Sequence, residues 1–232
     1  MIARIAAVLT ALSLALPAWA TIEIEEVTSP GGIEAWLVED ASIPFVALDF
    51  WFIGGSSIEP AETRGATYLM TGLLEEGAAD MDAQAFGAAV EGLAARFSFD
   101  TYRDAVTVSA QMLTQNRDEA AELLRAALTE PRFDESAIER LRGQVLSIIE
   151  SNSRDPGEIA SATFNALAYG DHPYGSAQEG TVESVSALTR SDIIAAHRAA
   201  LTRGRVVVGA AGDITAEELG LLIDRILGDL PA

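Results

Sequence analysis

Nine consecutive residues, Phe45-Val46-Ala47-Leu48-Asp49-Phe50-Trp51-Phe52-Ile53, carry a single charge, and Gly54-Gly55-Ser56-Ser57 ends the run. A short, aromatic and β-branched stretch bounded by turn formers reads as a central strand covered on both faces. Everything else has to be arranged around it. Upstream, Ile22 to Val27 alternates apolar and acidic residues, Ser29-Pro30-Gly31-Gly32 is a turn, and Ile33 to Val38 closes a hairpin. Downstream, Ala66, Leu69, Met70, Leu73 and Leu74 form one stripe of a helix starting near Thr63, with Gly77 expected at its C-terminal cap.

A second helix is expected over Asp82 to Leu93. Two strands follow, Ala95 to Tyr102 and Ala105 to Leu113, joined at Arg103-Asp104. The helix over Gln115 to Leu128 stops at Pro131. Asp134 is placed as the N-cap of the next, with Phe133 and Ile138 spaced as a hydrophobic staple. Its apolar face is read as Leu141, Val145, Ile148 and Ile149, and Pro156 lies beyond its end. A helix over Gly157 to Tyr169 precedes a turn-rich loop, Gly170 to Gly180. Thr189 with Asp192 and Thr215 with Glu218 have capping-box spacing, and Gly204 to Ala211 is a strand between their helices. Strands and helices are partly segregated. The fold expected is therefore α+β: one domain, an antiparallel or mixed sheet of about six strands packed against helices.

The first twenty residues read as an export signal rather than structure. Arg4 supplies the positive start, Ile5 to Leu16 the apolar run, Pro17 a break, and Ala18-Trp19-Ala20 the small-x-small cleavage pattern. The run is too short for a membrane span. The mature domain is expected to occupy residues 21–232, with no span after cleavage, outside the cytoplasm and, in a bacterium, in the periplasm. With 35 acidic residues against 15 basic ones, all arginine, the formal charge is −20. Such a surface repels nucleic acid and anionic lipid. There is no cysteine, which excludes disulfides, thiolate metal sites and cysteine nucleophiles, and only His172 and His197 offer imidazole.

Three ordered stretches resemble the pitrilysin/insulinase family of zinc peptidases. The first runs from Gly32-Ile33 through Val38-Glu39-Asp40 and Pro44 to Gly55, then Glu59-Pro60 and Gly65. The second is Glu139-Arg140-x-Arg142 leading to Val145-Leu146. The third is His172-Pro173-Tyr174-Gly175, Gly180-Thr181, Ser184-Val185, Leu188-Thr189 and Asp192, continuing to Val206-Val207-Val208-Gly209 and Gly212-Asp213-Ile214. The resemblance implies the first of the two tandem domains that close around a peptide in this family. The second half would come from further chain or from another polypeptide.

The family's chemistry needs H-x-x-E-H on one helix: two histidines at i and i+4 bind zinc and the glutamate is the general base. A glutamate on a later helix completes the ligand set. Laid on this chain, those positions hold Tyr68, Thr71, Gly72 and Ile148; a slip of one at the last gives Ser147 or Ile149. None is a usable donor or base, so no catalytic residue and no metal ligand is assigned. Glu75, Glu76 and Glu150 are the carboxylates nearest to these positions and, gathered together, would suit a hard cation such as calcium; as helix-end acids of a very acidic chain they need no such role. His197, on the face of Ile193 and Leu201, reads as a packed histidine, and His172 as a loop-ordering one.

The resemblance also implies an edge strand that binds peptide through main-chain hydrogen bonds. The matching strand contains Ala95, Phe97, Ser98 and Phe99, with Ser98 where the family often has asparagine. The reading that follows is a non-catalytic subunit without zinc of its own, completing the chamber of a zinc-bearing paralogous subunit and able to hold extended peptides. Two other readings are an autonomous zinc endopeptidase with unusual ligands and a scaffold subunit of a larger complex.

Overall fold

The computed structural model describes residues 23–232; the expected export signal lies outside the described residues. Six strands form one mixed sheet. They are β1 (Glu25–Thr28), β2 (Glu34–Glu39), β3 (Phe45–Ile53), β6 (Arg96–Thr101), β7 (Ala105–Leu113) and β8 (Val206–Gly212), in the spatial order β1-β2-β8-β3-β7-β6. Neighbours are antiparallel except β2 and β8, which run parallel. β4 (Gly77–Ala78) and β5 (Met81–Asp82) make a separate two-residue hairpin.

β3 is central, as expected: Phe50 faces Val108 of β7 on one side and Val208 of β8 on the other. It is not covered on both faces. Val46, Leu48, Phe50 and Phe52 are buried, while Asp49, Trp51 and Ile53 are exposed, Trp51 to 51%. Inward side chains of β3 share one core with buried residues of other helices, while the helix at Pro156–Tyr169 buries none of its own, so apolar content alone overstates the coverage. Trp36 of β2 is likewise 53% exposed, and Trp51 stacks on Tyr102 with ring centroids 6.3 Å apart.

Eight helices are present among the described residues: α1 (Ala66–Leu73), α2 (Ala83–Gly92), α3 (Arg117–Thr129), α4 (Glu135–Asn152), α5 (Pro156–Tyr169), α6 (Val182–Ala187), α7 (Arg190–Ala200) and α8 (Ala216–Leu227). Both expected capping boxes form. The Thr189 hydroxyl accepts from Asp192 N–H while the Asp192 carboxylate accepts from Thr189 N–H, and Thr215 with Glu218 does the same. The Thr215 N–H is the main reason the Glu218 carboxyl is held down at about 2, with Arg117 adding its charge. A third box, Thr181 with Ser184, starts the short α6, which sequence reading leaves as loop. Asp134 stands at the N-cap of α4, but its carboxylate pairs with Arg132 instead of capping; Phe133 and Ile138 are both buried as a staple requires. Gly77 is not a helix cap. α1 ends at Leu73, and Gly77 sits in β4 at φ +111°, where a Cβ would lie 2.7 Å from the Met81 carbonyl oxygen.

The β1–β2 turn is tied to the last helix. Asp224 of α8 accepts from the Ser29 hydroxyl at 2.6 Å and from Gly31 N–H at 2.7 Å. A Cβ on Gly31 would come within 2.5 Å of the Asp224 carboxylate. Gly31→Ala is therefore expected to cost about 1–2 kcal/mol, because the carboxylate must leave both donors to make room. Chemical denaturation of the variant beside Asp224→Ala checks this. The two losses should fail to add, since both break the same contact.

Candidate functional site

The site is built on α1, which is fixed at its start by a buried acid. Glu59 accepts backbone N–H bonds from Gly65 (3.0 Å) and from Thr67, so both carboxylate oxygens cap the helix. Burial pushes its carboxyl above the ordinary range despite these bonds and the adjacent Arg64. Gly65 takes φ +95°, and a Cβ there would strike the Glu179 carbonyl oxygen at 2.5 Å, so only glycine lets the loop enter the helix here.

The positions assigned by resemblance lie where α1, α4 and β6 meet. Tyr68 is half-buried; burial, and then the negative charge of Glu179, push its hydroxyl up, so it is a neutral phenol at ordinary pH. Thr71 is buried. Its hydroxyl donates to the Tyr68 carbonyl at 3.0 Å and lies 2.9 Å from the Thr101 hydroxyl of β6. Gly72 faces α4, where a Cβ would lie 2.8 Å from Leu141 Cδ2. Ile148 is 40% exposed and not part of the buried face of α4, which corrects the sequence reading. That face is Ile138, Arg142 and Val145, with Ile149 packed partly against the smaller core cluster. Ile148 is rotated roughly 80° from Ile138 at 3.6 residues per turn, but shares its side of the helix with Leu141, two turns earlier. Leu141 is the site residue that spacing did not reveal: it packs against Gly72 from another helix, and only a contact map across α1 and α4 finds it.

Zinc requires at least three protein donors from imidazole, thiolate or carboxylate. A neutral phenol, a threonine hydroxyl engaged in the protein, a glycine and an isoleucine do not fit it. The nearby carboxylates are not gathered together. Glu76 pairs with Arg140 and Glu150 with Arg154. Glu75 has its carboxyl pushed up by desolvation, then by Asp100 and Glu76. Among the described residues there is no group of three or more His, Asp or Glu placed to hold a metal ion. His197 is buried, its Nε2 2.8 Å from the Leu128 carbonyl oxygen and its ring edge-on to Phe133; burial lowers its pKa. His172 caps a 3-10 turn, its Nδ1 accepting from Tyr174 N–H at 3.2 Å.

Among the described residues β6 is the outer strand of the sheet and pairs only with β7. Phe97 and Phe99 point into the core and Ser98 to the opposite face, its hydroxyl donating to Asp100 at 3.1 Å. Ala95 precedes the strand and bonds back to the Val90 carbonyl. Thr101 binds β6 to α1 a second time, donating to the Thr67 carbonyl at 3.2 Å. A cavity of about 510 Å³ is lined by Asn152, Glu158, Ile159, Gln178 and Glu179. Asn152 holds Glu179 at 2.9 Å, and Gln178 Oε1 is buried with no hydrogen-bond partner among the described residues.

Sheet, capped helix and outer strand define an α+β domain. The chain belongs to the Insulinase (Peptidase family M16) family, whose model matches residues 35–182. It is similar to the crystal structure of a peptidase M16 inactive domain from Pseudomonas fluorescens, with TM-score 0.85, 27% identity, and coverage of 90% of this chain and 51% of that one. It is 26% identical over 182 residues to the mitochondrial-processing peptidase subunit beta of Neurospora crassa (78% of this chain, 38% of that protein). It is 24% identical over 193 residues to the non-peptidase homolog YmxG of Helicobacter pylori (83% and 45%). The chain thus spans about half or less of the length of these relatives. No described helix is long and apolar enough to cross a membrane.

Proposed function

We propose that this chain is a non-catalytic member of the M16 family. It completes the peptide chamber of a zinc-bearing partner subunit in the periplasm and carries no zinc itself. The observation that carries this reading is the contrast between an ordered frame and a donor-free centre. Glu59 caps α1, Thr71 and Thr101 hold α1 to β6, and the strand edge stays open, while positions 68, 71, 72 and 148 offer no metal donor. The relatives support it in kind, since one is named a subunit, one a non-peptidase homolog, and the solved domain an inactive one. In this reading the main chain around Phe97, Ser98 and Phe99 holds extended peptide by strand addition, which needs no metal.

The test uses residues 21–232, purified and dialysed, against quenched fluorescent peptides. Alone, with or without added zinc, the chain is expected to give no cleavage above background. Mixed with an M16 paralogue of the same organism that keeps H-x-x-E-H, it should raise that paralogue's kcat/KM at least tenfold. Metal-dependent cleavage by the isolated chain would overturn the reading. Association with a membrane complex and no effect on any peptidase would favour the scaffold role.

A further inference from the structure

We infer that Leu141 fills the space a side chain at position 72 would need, so that restoring the four family ligands is not enough to regenerate a zinc centre in this chain. The inference rests on the assignment of positions 68, 71, 72 and 148, and asks what now occupies the space between them.

The contact is specific. Gly72 is open to solvent on one side, and on the other a Cβ would meet Leu141 Cδ2 at 2.8 Å and Cδ1 at 3.5 Å, the nearest atoms from another element among the described residues. Leu141 is half-buried and bridges the two core clusters, touching the large core on one side and the group of Ala66, Leu69, Val145, Val185 and Leu188 on the other. It is therefore held from two directions, and a histidine at position 72 has to displace it. Leu141 and Ile148 lie seven residues apart on α4, on nearly the same side of the helix. Two turns separate them by about 10 Å along the axis, so Leu141 acts at position 72 and not at 148.

The neighbouring position 71 is also engaged. Thr101 of the edge strand donates to the Thr67 carbonyl of α1, and its hydroxyl lies 2.9 Å from that of Thr71, which donates to the Tyr68 carbonyl within α1. A longer, charged side chain at 71 breaks this link. The joint holds α1 against α4 and β6 by apolar packing and hydroxyl bonds, the task a metal centre would otherwise share.

Two measurements decide the matter. The first compares the variant Tyr68→His/Thr71→Glu/Gly72→His/Ile148→Glu with the same variant carrying Leu141→Ala. Zinc binding is read by chelator competition and by metal content after dialysis, with circular dichroism as the check on folding. The version with Leu141→Ala is expected to hold zinc at least tenfold more tightly. Equal affinity, or no zinc in either, overturns the inference.

The second needs no metal and covers the case in which the multiple variants do not fold. Gly72→Ala is made in the natural chain and in Leu141→Ala. Replacing a helix glycine by alanine should raise Tm by about 2–4 °C where there is room. That rise is expected only with Leu141→Ala; in the natural chain Tm should not increase. The same rise in both backgrounds overturns the inference. Neither experiment depends on peptidase activity or a partner, so the inference can fail while the proposed function stands, and the reverse.

Discussion

Replacing Arg142 by alanine is expected to lower stability by about 3 kcal/mol, and Tm by roughly 6–12 °C for a domain of this size. Arg142 is buried in α4. Its guanidinium donates to the carbonyls of Val185 and, at 2.8 Å, Leu188, and its Nε to Glu139 at 3.1 Å. Those two carbonyls belong to the end of α6 and the C-cap beyond it, so one side chain pins the α6–α7 connection onto the helix that faces α1. Val185 and Leu188 are themselves buried, so their carbonyls depend on the arginine for partners. Each unpaired carbonyl costs about 1–3 kcal/mol. Arg142→Lys should recover less than half, because one ammonium cannot span both acceptors as a planar fork does. Chemical denaturation of the two variants checks the magnitude. A loss under about 1 kcal/mol for alanine would mean that the connection holds without the arginine.

The frame of this fold was legible because it is written in local chemistry. The Thr189/Asp192 and Thr215/Glu218 boxes, the Pro131 stop and the alternation along β1 and β2 each act within a few residues, and each placed an element within two or three residues of where it stands. α6 and the β4–β5 hairpin were missed because six residues and two pairs of residues are too short for a period to show. The open outer face of β3 was missed for another reason. Trp51 and Ile53 are as apolar as Phe50 and Phe52, and nothing within the strand says which face meets helices.

The candidate site divides in the same way. That Tyr68, Thr71 and Gly72 stand together on one helix, with a later helix alongside, follows from 3.6-residue spacing and the family resemblance. What those residues do instead of binding metal does not follow. The partners are distant in sequence: Thr71 bonds to Thr101, Gly72 faces Leu141, and Tyr68 lies near Glu179. Sequence reading places Ile148 on the buried face because it falls at helical spacing from Leu141 and Val145. The packed stripe is narrower, and Ile148 lies off it.

Glu59 should dominate the response of α1 to mutation and to pH. Glu59→Ala strands the N–H groups of Gly65 and Thr67 in a buried helix start and is expected to cost about 2–3 kcal/mol at neutral pH. The pH dependence has an unusual sign for a carboxylate. Its folded pKa is raised above the ordinary glutamate value, burial outweighing the hydrogen bonds, so the native chain holds this proton more tightly than the unfolded chain. Stability from this group is present in full below about pH 4.5 and declines as pH rises through the folded pKa. Glu59→Gln has no proton to lose. Its stability relative to the natural chain should therefore rise with pH from about pH 4.5 upward. Parallel melts of the two proteins between pH 4 and 8 read that difference directly, and the other carboxylates cancel between them. If the glutamine variant instead falls behind as pH rises, the charged carboxylate is favoured in the folded chain and burial does not control the start of α1.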